Sequence, residues 1–284
     1  MTTITESAVG AVPPPDGAAA TTAAPPDRLV AIAQLGGMIH LCYLLMTRAL
    51  RRPFSWGPEF AEQFEFTVRI SVAPLCLCAF VLAFGPLGVQ ATGFFGLIGS
   101  YDRLGSLYEL VEVRELAPIV VGIVLAGAAG TAICADLGAR VVREEIAALQ
   151  VMGVDPVKSL VLPRLLALVA ASFLLNIIAL ISGLLGAVLV LVQHHQPLGP
   201  SVTDFLSNAT PLELEAATVK TVLYGVITAV VCCYNGLNVS GGPEGVGRAV
   251  NRSIVIVFVA IGFTDFLFTQ TLLATHPILS EVRG

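Results

Sequence analysis

Few residues in this sequence have the types and spacing that catalysis needs. Its two lysines, Lys158 and Lys220, lie outside any Gly-x-x-x-x-Gly-Lys-Ser/Thr loop, so the chain lacks this way of holding the phosphates of ATP. It also lacks the Gly-x-Ser-x-Gly elbow of hydrolases. The glycine-rich run at residues 241–247 follows no predicted strand, and a turn explains it. We therefore predict a chain that is not an enzyme and holds no cofactor.

Potential metal ligands are equally scarce. His194 and His195 are neighbours on a predicted loop, where adjacent side chains point apart, and no carboxylate flanks them. The six cysteines all lie in apolar runs without a Cys-x-x-Cys pair: Cys42, Cys76, Cys78, Cys134, Cys232 and Cys233. This pattern indicates small hydrophobic residues, and it predicts neither a metal site nor a disulfide framework.

The composition is that of a membrane protein. Hydrophobic residues make up 56% of the chain and charged residues 12%, whereas soluble domains contain about 25% charged residues. The mean hydropathy is +0.85. Lipid can solvate so much apolar surface, but then backbone groups must be satisfied internally, as they are in helices. The composition thus predicts an all-α membrane protein, and the net charge of -5 gives no reason to expect a nucleic acid partner.

Five apolar stretches are long enough to cross a bilayer, which takes about 20 residues. They are residues 66–92, 116–135, 160–192, 218–237 and 253–275. Residues 28–52 form a sixth stretch that contains polar residues and is flanked by arginines, so we predict an elbow helix lying in the membrane interface. Residues 1–27 are rich in Ala, Pro, Thr and Gly, which predicts a disordered tail before a permease domain at residues 28–280.

The basic residues predict the orientation of these spans. With the N-terminus inside, the inner segments contain Arg28, Arg48, Arg51, Arg52, Arg140, Arg143, Lys158, Arg164, Arg248 and Arg252. The outer segments then contain Arg103, Arg114, Lys220 and Arg283. Because inner loops carry the excess of Lys and Arg, we expect a cytoplasmic N-terminus and an outer C-terminus.

Residues 141–153 predict a short amphipathic helix on the inner side, between the second and third spans. Its apolar residues recur at helical spacing: Val142, Ile146, Leu149 and Met152. Glu144 and Glu145 lie off that stripe, and Gly153 followed by Asp155 ends the helix. Such a helix either rests on lipid or docks in the groove of a partner protein. From the residues alone, lipid is the favoured surface.

Small and charged residues within the second span need close partners. Gly122, Ala126 and Gly130 repeat every fourth residue, with Gly127 in a second line, and this favours tight packing within the chain or at a seam between subunits. Arg114 and Glu115 open the span. They form either an ion pair with a nearby acid, Glu109 or Glu112, or a gate near the outer mouth.

Asp265 lies near the middle of the last predicted span. A carboxylate at that depth costs about 2.5–3.5 kcal/mol on insertion scales, so it must face protein. Thr264, Thr269 or Gln270 are the expected partners. A proton relay is the alternative, and it is disfavoured because the other predicted spans contain no second buried acid or histidine.

A set of segments spread over the chain after about residue 30 carries a family resemblance. The segments are Arg114–Pro118, residues 125–138, Glu144–Pro156, Pro163-Arg164, Tyr234-Asn-Gly236, residues 241–248 and Asp265-Phe266. Together they resemble the MlaE/YrbE permeases, which are membrane subunits of lipid ABC transporters that work with MCE-domain proteins. Residues 131–140 are most similar to the A-type YrbE subunits of actinobacteria. Ala128 stands where the family usually has an arginine.

The resemblance implies an MlaE-type permease fold in the inner membrane, and lipid transport that is usually import. It implies that ATP and Mg²⁺ bind a partner ABC ATPase, and that a second YrbE-type permease completes a homo- or heterodimer. It also turns the short inner helix into a coupling helix that contacts the ATPase. The implied contact residues are Arg143, Glu144, Glu145, Ile146, Leu149, Met152, Gly153 and Asp155.

The lipid path is expected between two such subunits, with the first span as its wall. The predicted lining residues are Leu75, Leu77, Phe80, Val81 and Phe84, with Arg114 and Glu115 near the outer mouth. Two other functions stay open. One is an ion-coupled secondary transporter, and the other is a scaffold that only anchors MCE proteins.

Overall fold

A computed structural model of the chain describes residues 27–49 and 57–275. Within these ranges the regular structure is entirely helical. All of the predicted disordered tail at residues 1–27 except Asp27 lies outside the described residues. Residues 50–52 of the predicted elbow helix and residues 276–280 of the predicted permease domain also lie outside them.

Five helices are long and apolar enough to cross a membrane. They are α2 (Gly57–Ile98), α3 (Leu104–Val142), α5 (Val157–Gln193), α7 (Pro211–Leu237) and α8 (Gly242–Thr275). The described residues also form three shorter α-helices, α1 (Asp27–Ala49), α4 (Glu145–Val151) and α6 (Leu198–Asn208), and one turn of 3-10 helix at Tyr101–Arg103. The predicted class, an all-α membrane protein with five spans after a short N-terminal helix, is confirmed. The placement of α1 in the membrane interface stays a prediction.

The helices begin earlier than the hydropathy pattern predicts. Helix α3 starts at Leu104 rather than at residue 116, and α7 starts at Pro211 rather than at residue 218. Between the predicted spans 66–92 and 116–135, the chain leaves the two long helices only in a short connection that begins at Gly99, which has a φ of +68°. A capping box marks the start of α7, because Thr210 accepts from the Glu213 backbone and Glu213 accepts from that of Thr210.

The five spans form a bundle with α7 near its centre. Helix α2 packs along α5, while α7 contacts α5, α3 and α8. The hydroxyl of Ser182 on α5 donates a 2.8 Å hydrogen bond to the carbonyl of Cys76 on α2. We call the two ends of the bundle the α4 end and the α6 end, after the short helices they carry. Helix α1 lies at the α4 end, where Arg252 of α8 donates to Gln34.

The two lines of small residues on α3 have different surroundings. Gly122 and Gly130 face α7, and a Cβ on Gly130 would come within 2.8 Å of Thr228 and 2.9 Å of Cys232. Ala126, on the same line, is buried. Gly127 is exposed and has open space where a Cβ would lie. The first line therefore packs inside the chain, and Gly127 alone of these four is free to face another subunit.

This difference in packing predicts that the same substitution affects stability at Gly130 but not at Gly127. Gly130→Val should destabilise the permease by about 1–3 kcal/mol, because extra methyl groups would push α3 away from α7. Gly127→Val should leave the melting temperature unchanged, since nothing occupies the space beside it. Thermal denaturation of the two purified variants in detergent measures both effects. Equal stability of the two variants would contradict this packing of α3.

Candidate functional site

The α4 end contains the segment that was predicted to form an inner helix. Helix α3 runs to Val142, and Glu144 then adopts a left-handed conformation with a φ of +61°. Helix α4 itself has seven residues, from Glu145 to Val151, and Gly153 leaves it with a φ of +76°. The predicted single helix over residues 141–153 is therefore wrong in its bounds, because the turn at Glu144 separates α4 from α3.

The apolar side chains of this segment point in two directions. Ile146 is buried and Leu149 packs against the core of the bundle, so these two hold α4 in place. Val151 and Met152 project outward and are 89% and 68% exposed. The predicted stripe of Val142, Ile146, Leu149 and Met152 is wrong for Val142, which is exposed at the end of α3, and for Met152, which follows α4 in a turn. Val151 was missed because it lies off that stripe.

Charged side chains link α4 to the bundle. Arg143 donates to the carboxylate of Glu145 at 2.7 Å, and this hydrogen bond holds the pKa of Glu145 below its ordinary value. Arg140 of α3 lies 3.8 Å from Glu145 and 3.1 Å from Asp136. Asp136 also pairs with Arg164 of α5 at 2.6 Å. We call Glu145, Arg140, Asp136 and Arg164 the α4 ion-pair series.

Asp155 has a local structural role. Its carboxylate accepts from the backbone nitrogen of Val157 at 3.0 Å, and its carbonyl accepts from the Ser159 hydroxyl at 3.0 Å. These contacts start α5 directly after the turn that follows Gly153. Asp155 therefore helps to direct the chain from the exposed Val151 and Met152 back into the bundle.

A second charged cluster lies within the spans, nearer to the α6 end, and is centred on Lys220. Its ammonium group lies 2.7 Å from Asp265 of α8 and 2.9 Å from Glu115 of α3. It also donates to Thr269, at 3.1 Å. The hydroxyl of Tyr224 donates to Asp265 at 2.6 Å. One buried lysine thus joins α3, α7 and α8.

Arg114 belongs to the same region, and its carbonyl accepts from Lys220 at 3.0 Å. Its guanidinium pairs with Glu213 at the start of α7. Glu112 is fully buried against Gly183 of α5, where an added Cβ would overlap its carboxylate. Glu213 is thus a partner of Arg114 that the sequence analysis did not name, and the pairing with Glu109 or Glu112 stays a prediction.

Three expectations about these charges are wrong for one reason. Lys220 is not in an outer connection, the partners of Asp265 are Lys220 and Tyr224, and other buried acids do exist within the described spans. The spans reach further into charged sequence than hydropathy indicates, because Arg114, Glu115 and Asp265 lie beside opposite charges on a neighbouring helix. The signal that could have found Lys220 is the Thr210-x-x-Glu213 capping box, which starts α7 before it.

The predicted lipid-path residues on α2 divide between two faces. Leu75 is fully buried in the core of the bundle, so its assignment to the path is wrong. Leu77 and Val81 are exposed on the face of α2 that no described helix covers. Phe80 and Phe84 stack on each other with ring centroids 6.1 Å apart. Arg114 is also buried, whereas Glu115 keeps about a third of its side chain exposed.

The cluster around Lys220 predicts a large effect of its removal. Lys220→Met should destabilise the permease by about 3–5 kcal/mol, because Glu115 and Asp265 would be left without their cation. Adding Glu115→Gln and Asp265→Asn should recover most of that loss, since no charge would then be unpaired. Melting temperatures in detergent measure both, with Lys158→Met, the other lysine, as the control. A Lys220→Met variant as stable as the unmodified protein would contradict the pairing of Lys220 with Glu115 and Asp265.

Comparisons with known proteins relate this chain to permease proteins. The chain matches the family model for permease MlaE over residues 60–271. A "probable ABC transporter permease protein" of Synechocystis is 29% identical over 249 residues, which cover 86% of this chain and 90% of that protein. The chloroplastic protein TRIGALACTOSYLDIACYLGLYCEROL 1 of Arabidopsis thaliana is 28% identical over 230 residues, covering 80% of this chain and 64% of that protein.

A third relative is named for its cargo. The "intermembrane phospholipid transport system permease protein MlaE" of Haemophilus influenzae is 29% identical over 187 residues, covering 64% of this chain and 71% of that protein. The family model covers well over half of the chain. The five apolar spans agree with a multi-pass membrane permease. This chain therefore belongs to the MlaE family of ABC transporter permeases.

Proposed function

We propose that this chain is the membrane-spanning subunit of an ABC transporter that imports phospholipid-like lipids across the inner membrane. An ABC ATPase binds α4 and supplies the energy, so ATP and Mg²⁺ lie on that partner. A second YrbE-type permease and MCE-domain proteins complete the transporter. The observation that carries the proposal is the pair of outward-projecting apolar side chains, Val151 and Met152, at the tip of a segment anchored to the bundle.

The arrangement of α4 favours a protein partner over lipid. A helix that rests on a membrane turns its apolar stripe toward the lipid. In α4 the apolar stripe is not available to lipid, because Ile146 and Leu149 face the bundle. Val151 and Met152 remain exposed at the end of α4, and the charged residues Arg143 and Glu144 are exposed before its start. A small apolar centre with a charged rim is the usual composition of a protein interface.

The charge distribution supports a cytoplasmic position for the α4 end in our proposal. Arg140, Arg143 and Lys158 lie at this end, together with Arg248 and Arg252 at the start of α8. The excess of basic residues near the ends of spans marks the cytoplasmic side. This orientation brings α4 to the compartment in which an ABC ATPase hydrolyses ATP. It also places α6 and the end of α8 on the periplasmic side.

Lipid transport requires an apolar surface that the bundle itself does not cover. Leu77 and Val81 of α2 are exposed, and α8 exposes a second apolar face with Val255, Val259 and Phe263. An acyl chain needs only such an adaptable apolar wall. In our proposal the lipid lies between two permease subunits, against Leu77, Phe80, Val81 and Phe84. The relative from Haemophilus influenzae, named for phospholipid transport, supports a phospholipid-like cargo.

The ATPase contact predicts the effect of charged substitutions at the tip. The double variant Val151→Asp with Met152→Asp should weaken co-purification of the ATPase about 30-fold or more, because desolvating two carboxylates opposes binding at the centre of an interface. Gly247→Asp should bind the ATPase normally. It adds the same group at an open, exposed position of α8, also at the α4 end. Affinity purification from membranes, with quantified ATPase, measures both.

Two outcomes would contradict the proposal. Normal ATPase binding by the double variant would show that α4 is not the contact. Lipid transport that continues without the ATPase and stops when the proton gradient is dissipated would favour the ion-coupled alternative, which the buried charges around Lys220 could serve. A chain that retains no ATPase and moves no lipid under either condition would favour the scaffold.

A further inference from the structure

We propose that Arg140 is a positioning residue that transmits movement of α4 to the membrane-spanning helix α5, through the α4 ion-pair series. The inference rests on the proposed function, in which the ATPase binds α4. It adds the route by which a displacement at the exposed tip reaches the bundle. It also identifies the side chain at which that route is weakest.

The series is continuous from the exposed segment to the interior. Glu145 on α4 lies 3.8 Å from Arg140, and Arg140 lies 3.1 Å from Asp136 one helical turn earlier on α3. Asp136 lies 2.6 Å from Arg164 on α5. Three separate helices are therefore joined by alternating charges, each within direct electrostatic reach of the next.

The inner end of the series is rigid. Arg164 has 1% of its side chain exposed, and its second guanidinium nitrogen donates to the carbonyl of Leu160 at 3.1 Å. A buried guanidinium that lost Asp136 would be an uncompensated charge in a region of low dielectric constant. The pair therefore stays together when Asp136 moves. Through it, a shift of α3 at this level is imposed on α5.

The outer end is adjustable. Arg140 and Glu145 are 33% and 42% exposed, and their separation of 3.8 Å is the longest in the series. Partly exposed pairs are weak and are screened by salt. Glu145 also has a second cation, Arg143, at 2.7 Å. Movement of α4 can thus exchange Glu145 between the two arginines, while Arg140 remains bound to Asp136.

The backbone turns sharply on both sides of α4, so side chains must transmit the movement of α4 to α3. The turn before α4 has the left-handed residue Glu144, and the turn after it has Gly153, also at positive φ. Such turns allow a short helix to rock relative to its neighbours. Ile146 and Leu149 keep it seated on the bundle through non-directional contacts. The charged series supplies a directional connection from α4 to α3.

The test replaces the bridging side chain in the complete transporter. Arg140→Met removes the charge while keeping an unbranched apolar stem, and Arg140→Lys restores the charge. Arg248→Met is the matched control, because Arg248 forms an exposed ion pair with Glu244 at 2.7 Å on α8. Each complex, with its ATPase, is placed in proteoliposomes. ATP hydrolysis and the transfer of NBD-labelled phosphatidylglycerol are then measured at low and high salt.

Arg140→Met should bind the ATPase normally and should move about twofold to fivefold less lipid per ATP hydrolysed, the effect expected for partly exposed ion pairs. Arg140→Lys should recover most of the loss, and Arg248→Met should match the unmodified complex. High salt should lower the lipid moved per ATP in the unmodified complex toward the value for Arg140→Met, in which salt should have little further effect. A protein in which Arg140 is merely structural would not show this salt dependence.

The inference is overturned if Arg140→Met moves as much lipid per ATP as the unmodified complex, or if Arg140→Lys behaves like Arg140→Met. It is also overturned if Arg140→Met loses the ATPase, because Arg140 would then be a docking residue. Failure of the proposed function has a different signature. In that case the Val151→Asp, Met152→Asp variant keeps the ATPase, whatever the Arg140 variants do.

Discussion

A charged side chain inside a membrane protein is stable only beside an opposite charge, and this constraint determines how the helices of this permease meet. Lys220 can be buried because Glu115 and Asp265 approach it from α3 and α8. Arg164 can be buried because Asp136 approaches it from α3. Neither pair can separate without leaving a charge in a medium of low dielectric constant. The two clusters therefore fix α3 against α5, α7 and α8 at two levels of the bundle.

The two clusters differ in exposure, and the difference separates two roles. The cluster at Lys220 is enclosed by α3, α7 and α8, and hydroxyl groups from Tyr224 and Thr269 complete its hydrogen bonds. It holds those helices together as one unit. The α4 ion-pair series begins equally buried at Arg164 but ends at the partly exposed Glu145. A connection that is rigid at one end and adjustable at the other suits a segment that must follow a partner protein.

The sequence predicted the number and type of the spans because hydrocarbon thickness requires about 20 apolar residues in a row. It did not predict their ends. Glu109, Glu112, Arg114 and Glu115 lower the local hydropathy, so the start of α3 resembled an outer loop. Inside the bundle, Arg114 pairs with Glu213 and Glu115 pairs with Lys220, and both partners lie on α7. That pairing depends on which helices are neighbours, and local composition does not contain this information.

The candidate site, too, was predicted from the sequence only in part. Helical spacing correctly predicted that Ile146 and Leu149 lie on one face, but the period could not say that this face turns toward the bundle. It also assigned Met152 to that face, although the helix ends before it. On α2, the helical period could not predict whether Leu75 or Leu77 faces α5. The packing of α5 buries only Leu75. The direction in which a helix face points depends on tertiary packing, whereas the periodicity of apolar residues is a local property of the sequence.

The contact between the tip of α4 and the ATPase is the claim on which the account most depends, and site-specific cross-linking tests it directly. A photoreactive amino acid replaces Val151 in the assembled transporter, and a second variant carries it at Leu206, which is 66% exposed at the α6 end. Illumination of intact membranes should join position 151 to a nucleotide-binding ATPase subunit, and position 206 should give no such product. Adducts of position 151 with lipid alone, or with a protein of the periplasmic side, would contradict the account.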